Sequence, residues 1–371
     1  MTIEAERHAA REVIRDDTPR RSAPPRRPIR SENAMRLPAP RGPVSTALFA
    51  CLLGEPGPVP PQLTELADAL PETTADARSD EDVQISLWTC YGLTYDGFHG
   101  VDERWEWQPS LLAVRGALEA VFERDVLAEV RLPENLTPER VPAFLMDICG
   151  PATPAGLLKF MHQNATLDQF KELVIHRSID GLHEADAHTW AIPRVTGRAK
   201  SALIEIQADE YGGGMPGRSH AELYAILMSE LDLDPGYGAY IDQIPAVALS
   251  IHTLRSMFGL HHRWRGGILG NLAATEIGSS FINRRFSEGL ARVGASKKAR
   301  WFYDEHVLAD AVHEQLAAHD MCGTFVADYP AEWDRVVIGA LATLNIRGLF
   351  AGTVVEAWAA DVTSLRELAA V

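Results

Sequence analysis

Apolar residues recur at helical spacing through most of the chain after residue 46, and the strict alternation that marks half-buried strands is scarce. In PSLLAVRGALEAVFE, Leu111, Val114, Leu118, Val121 and Phe122 fall on one face. In AEWDRVVIGALATLN, Trp333, Val336, Val337, Ala340, Leu341 and Leu344 do the same. Further helical stretches run through SDEDVQISLWTCYGL, TLDQFKELVIHRSIDG, IPAVALSIHTLRSMFG and GGILGNLAATEIGSSFI, and no repeat period links them. The pattern predicts one all-α domain of about ten helices over residues 46–371. Within it, residues 46–150 form an N-terminal helical layer against a bundle over 151–371.

The first 45 residues break this pattern. Up to residue 42 they hold ten Arg, six acidic residues and the proline-rich run RRSAPPRRPIR, a composition that predicts a disordered leader. The whole chain of 371 residues carries a net charge of −16, so the remainder is more acidic still. Such a body should repel nucleic acid and anionic membrane. The four cysteines, Cys51, Cys90, Cys149 and Cys322, show no paired spacing, which fits a reducing, cytoplasmic compartment. No apolar run reads as long enough for a membrane span, and no secretory leader is apparent. Neither GxGxxG nor a P-loop occurs, so nucleotide chemistry has no support.

Candidate chemistry concentrates in YDEHVLADAVH. His306, Asp310 and His313 stand at i, i+4 and i+7, which stacks two imidazoles and a carboxylate along one helical stripe. That ligand set suits iron. A partly exposed polar face with two ordinary histidines would give the same trio, so the reading needs further ligands. Upstream, Glu184 lies in GLHEADAHTW within a stretch of helical character, Glu210 ends SALIEIQADE, and His220 opens SHAELYAILMSEL. On an unbroken helix Glu210 and His220 would stand about 80° apart in azimuth and about 15 Å apart along the axis. The intervening YGGGMPGRS should break the helix and let both side chains turn inward, although it also reads as a plain surface loop.

Three carboxylates and three imidazoles are enough to bridge and cap two irons inside a helical bundle. A zinc protease is excluded because the position that HExxH would fill with its second His is Ala317. A ferritin-like site would need paired ExxH motifs, and the chain offers one comparable DxxH, Asp310 to His313.

With these residues in place the chain resembles the haem-oxygenase-like di-iron oxidases and oxygenases. The pattern of that family is a first-helix Glu, a Glu followed ten residues later by His, then His-x-x-x-Asp-x-x-His. Its elements correspond to Glu184, Glu210, His220, His306, Asp310 and His313. The similarity extends into LWTCYGLTYDGFHGVDERWEW and FAGTVVEAWAADVTSLR, and so covers most of the chain after about residue 80. The resemblance implies a haem-oxygenase-like all-α bundle in which those six side chains hold two Fe2+ ions, with O2 as co-substrate. Glu210, the carboxylate before the glycine break, is similar to the N-oxygenating branch and implies oxidation of a small amine. Oxidative C–C cleavage or desaturation of a fatty or amino acid is the alternative within enzymes, and a helical scaffold without activity is the alternative outside them. The implied partners are a small-molecule substrate and an external electron donor, with a homodimer compatible with the fold.

Other residues stay open at this stage. His188, one turn beyond Glu184, reads as a seventh ligand or as a neighbour of one. Glu276, in LAATEIGSS, reads as a carboxylate that orients a ligand imidazole or as a helix-end salt bridge. Tyr211 and Tyr303 read as cavity wall or as core. His183 should point away from the ligands, and His261 and His262 carry no pattern.

Overall fold

In the computed structural model the described residues are 35–150 and 156–367, and in the helix that carries His306 the side chains of 308–311 are not described. The leader expected over 1–45 lies outside the described residues as far as Ala34. The body begins at Met35, eleven residues before the boundary read from composition. Met35 is buried and exchanges backbone hydrogen bonds with Gly97 and His99.

Helices dominate, and no strand occurs among the described residues. They are α1 (Pro43–Leu52), α2 (Pro61–Thr73), α3 (Glu81–Gly92), α4 (Pro109–Ala128), α5 (Val141–Cys149), α6 (Gly156–Gln163), α7 (Leu167–Gly181) and α8 (Asp186–Thr189). There follow α9 (Gly197–Glu210), α10 (His220–Glu230), α11 (Ala246–Leu260), α12 (Arg265–Glu276), α13 (Ser279–Arg292), α14 (Trp301–Gln315), α15 (Thr324–Asp328) and α16 (Trp333–Ala359). There are more segments than the apolar pattern predicts because capped turns divide its longer stretches. Thr166 and Gln169 form a capping box that starts α7, and Ser219 and Glu222 form one that starts α10. Between α14 and α15 the chain stays coiled as a π-helix, Leu316–Gly323, which packs against α9.

The apolar face read on α4 is buried at all five positions, and Val336, Val337 and Ala340 of α16 are buried as well. Helix α3 links the N-terminal part to the rest by packing on α11, while α1 and α4 pack on α3. The central contact is α12 against α16. There Gly270 meets Val336 O and Gly339 meets Gly267 O so closely that a Cβ at either glycine would collide with backbone. Glycine in a helix interior costs about 1 kcal/mol against alanine, and this close approach is what offsets it.

One sequence expectation is corrected. The segment Pro330–Ala359, 30 residues with a mean hydropathy of 1.5, is long and apolar enough to cross a membrane. The cause is its place in the fold, where it packs against α4, α5, α6, α11 and α12 and requires apolar residues on several sides.

Gly270→Ala should therefore destabilise the protein by about 1–3 kcal/mol through overpacking, despite the gain in helix propensity. Urea unfolding would register this as a lower midpoint, and an unchanged or higher midpoint would refute the close-approach argument.

Candidate metal centre

The chain reverses direction to bring Glu210 to His220. Helix α9 ends at Glu210, and Gly212, Gly213 and Gly214 all take positive φ, at 65°, 62° and 75°. A Cβ on Gly212 would also strike the backbone of Arg218 and Ser219. Helix α10 then starts at His220, and Nδ1 of His220 lies 3.0 Å from Oε2 of Glu210, with both side chains buried. The glycine break thus spans a separation that a straight helix would hold at about 15 Å.

Glu184 departs from its expected setting. It sits in the turn between α7 and α8, not on a continuous helix. Arg255 of α11 fixes that turn, donating from Nη1 to Glu184 O at 2.7 Å while Nη2 pairs with Asp180 at 2.6 Å. Gln207 supports it further by donating to Ala185 O at 2.9 Å.

His306 and His313 lie on α14. Nδ1 of His306 is 2.7 Å from Phe302 O, and a carbonyl can only accept, so Nδ1 carries the hydrogen and Nε2 keeps its lone pair. That Nε2 lies 3.6 Å from Oε2 of Glu184, and the His306 and His220 rings stand 4.0 Å apart between centroids. His313 is held between two carboxylates, with Nδ1 3.2 Å from Glu276 and Nε2 3.0 Å from Asp209.

Two groups of donor atoms result. Glu184, His220 and His306 form one and Glu210, Glu276 and His313 the other, each with its ligand atoms within 4.8 Å of one another. The Glu210 to His220 contact joins them. Asp310 lies on α14 between the two histidines, but its side chain falls outside the described residues. Of the open residues, Glu276 takes the first of its two readings, with Oε2 3.2 Å from Nδ1 of His313, and it also joins the second group of donor atoms. His188 bonds Asn271 Oδ1 at 2.9 Å and belongs to neither group. His183 pairs with Asp96 and Asp186 and stacks on Tyr237. Tyr211 is exposed and donates to Asp186, and Tyr303 is buried against Phe286. Asp209 had no signal beyond its place next to Glu210.

The donor set fits a metal. Oε2 of Glu184, Oε2 of Glu210 and Nδ1 of His220 are buried without a well-formed hydrogen bond, an arrangement that is costly unless a cation completes it. Burial pushes the Glu184 carboxyl up, yet His306, His220 and Arg177 outweigh it and the net shift is downward. Burial opposes protonation of His220, and the Glu210 carboxylate reverses that direction. The group borders a cavity of about 180 Å³ whose wall includes Leu173, Ile251, Phe286, Phe302 and Phe350.

Residues 171–348 match the family described as iron-containing redox enzymes. This part of the chain is similar to that family. The matched span includes both groups of donor atoms and Asp310, so the similarity covers the centre itself and supports an iron-dependent oxidoreductase. No curated protein is similar enough to add a relative.

Collecting buried carboxylates without a cation costs several kcal/mol per ion. Iron binding should therefore increase hydrogen-exchange protection over residues 205–220, where the glycine break holds Glu210 and His220 together. Equal protection with and without iron would count against the centre. A second expectation concerns pH. Burial depresses His176 to about 4 and both His188 and His252 to about 3, so each is neutral in the folded protein at pH 5. The unfolded chain takes up those protons at about pH 6.5, so each histidine should lower stability by up to about 1.4 kcal/mol per unit as pH falls from there towards 4. Urea midpoints that match at pH 7 and pH 5 would contradict this.

Proposed function

We propose that the chain is a non-haem di-iron oxygenase that uses O2 to oxidise a small metabolite, with N-oxygenation of an amine as the reaction. The observation that carries this reading is the pair of three-ligand groups joined through Glu210 and His220. Glu184, His220 and His306 would hold one iron, and Glu210, Glu276 and His313 the other, with Asp310 assigned by its place in the sequence. Two ferrous ions held there would supply the electrons and open coordination positions that O2 reduction needs.

The residues of the chain have their own tasks. Phe302 O fixes the His306 tautomer so that Nε2 faces Glu184. Asp209 accepts from Nε2 of His313 and leaves Nδ1 for the metal, the usual use of a carboxylate behind a ligand imidazole. Arg255 anchors the turn that presents Glu184. The aromatic and aliphatic wall excludes water from the reacting bond. That same apolar wall favours a second reading, oxidative C–C cleavage or desaturation of a fatty or amino acid. Product analysis separates the two: N-oxygenation adds oxygen to nitrogen and retains every carbon, cleavage loses carbon, and desaturation removes two hydrogens without adding oxygen.

Asp310→Ala provides the test. Alanine is the better helix former, so the variant should stay folded. It should bind fewer than two irons per chain and lose O2 uptake in the presence of candidate amines. Equal iron in the variant and the wild type, measured after anaerobic loading, would end the di-iron reading.

A further inference from the structure

The cavity has a second polar end that the metal ligands do not use. Along α7, Leu173, His176, Arg177 and Asp180 line one stripe of the wall that leads to Glu184. Asp180 is committed to Arg255 at 2.6 Å, and Arg347 donates to Ala274 O at 3.0 Å and to Thr275 Oγ1 at 2.9 Å. Arg177 makes no hydrogen bond or ion pair with a described residue; burial opposes its charge, and Tyr303, Tyr224, Glu184 and Asp180, acting at longer range, outweigh that effect. The guanidinium groups of Arg177, Arg255 and Arg347 thus gather near Asp180, and Arg177, whose donors no described residue takes, is the one left to meet an anion in the cavity.

His176 adds the second half of the recognition. It is 2% exposed, and its Nε2 lies 2.9 Å from Ser364 Oγ. The single hydroxyl hydrogen of Ser364 is already given to Glu172 Oε2 at 2.6 Å, a carboxylate oxygen that also accepts from Trp358 Nε1 and Ser364 N. Ser364 Oγ must therefore accept from Nε2–H of His176, and Nδ1 is left with a bare lone pair. That Nδ1 is buried with no partner. The wall accordingly offers an uncommitted cation next in sequence to an uncommitted acceptor.

We propose that this end of the cavity is a head-group site for a carboxylate that bears a hydrogen-bond donor on the neighbouring carbon. Arg177 pairs with the carboxylate, and His176 Nδ1 accepts from the adjacent N–H or O–H. Ser364 and Glu172 are positioning residues that set the His176 tautomer. Arg177 stands one helical turn before the end of α7, and Glu184 lies in the turn that follows that end. A substrate that meets both therefore carries its reacting atom on an extended chain, away from the head group. An α-amino or α-hydroxy acid with an extended side chain has this form. The proposal rests on the reading that the cavity is the substrate chamber of the oxygenase.

Four six-carbon probes test it on the full chain, loaded with Fe2+ under anaerobic conditions and followed by calorimetry. L-norleucine and 2-hydroxyhexanoate carry the carboxylate and a neighbouring donor, hexanoate carries the carboxylate alone, and hexylamine carries neither. At least one of the first two should bind about tenfold more tightly than hexanoate, and hexylamine should bind more weakly than any carboxylate. Which of the two binds more tightly tells N–H from O–H. Arg177→Gln should weaken all three carboxylates by about tenfold or more, with Arg177→Lys in part restoring them. His176→Phe should bring the tighter of the first two down to the level of hexanoate. Iron content equal to wild type shows that each variant retains its fold. If a variant does not retain iron, the wild-type series alone decides, and hexylamine binding as tightly as hexanoate overturns the proposal. Carboxylate affinities unchanged in Arg177→Gln also overturn it. Failure of the underlying reading looks different: wild type that binds the head group through Arg177 yet takes up no O2 with any candidate substrate loses the oxygenase and keeps the site. Iron-dependent O2 uptake that is insensitive to Arg177→Gln loses only the head-group site.

Discussion

The cost of taking carboxylates out of water governs this structure. Glu184, Glu210 and Glu276 are drawn into the interior of a helical bundle among His220, His306 and His313. Ionised carboxylates in such a place are tolerated only when charge of the opposite sign is within reach. The imidazoles supply part of it, since Glu210 raises the proton affinity of His220 and His306 helps to hold Glu184 ionised. A divalent cation supplies it more completely, which is why the match of residues 171–348 to iron-containing redox enzymes and the unsatisfied oxygens point to the same chemistry.

Holding such a group together requires a scaffold that does not relax. The α12 to α16 contact provides one, because backbone meets backbone at Gly270 and Gly339 with no side chain between to rearrange. Helix α12 brings Glu276 from that rigid contact, and α16 brings Arg347 and Phe350 to the cavity. The glycine turn at 212–214 acts in the opposite sense, since its backbone adopts a conformation that side chains would resist.

Much of this was legible in the residues because helices repeat their chemistry at fixed intervals. The buried faces of α4 and α16 follow from spacing alone, and so does the placement of His306 and His313 on one helix. A run of three glycines and a proline announces a reversal because few other residues accept positive φ. What stayed hidden depends on packing between distant segments. Sequence offered Glu276 as a partner for a ligand imidazole without saying which one, and nothing local indicates that Asp209 takes the other nitrogen of the His313 ring or that Glu184 stands in a turn. Helix α16 passes the length and apolarity test for a membrane span for a related reason, since composition does not distinguish a core helix from one suited to lipid. The tautomer of His176 is a further case, fixed by Ser364 and Glu172 across more than 180 residues of sequence.

Because Leu173, His176, Arg177, Asp180 and Glu184 share a single wall of α7 and the turn that follows it, the distance between one end of the cavity and the other is set within one short segment of backbone. It is a ruler marked in helical turns. Packing elsewhere can widen or narrow the chamber, but its length changes only when a polar residue moves to another rung, in steps of about 5.4 Å. Relatives that act on longer or shorter molecules would then be expected to differ by where along this wall the cation stands, while the metal ligands keep their places.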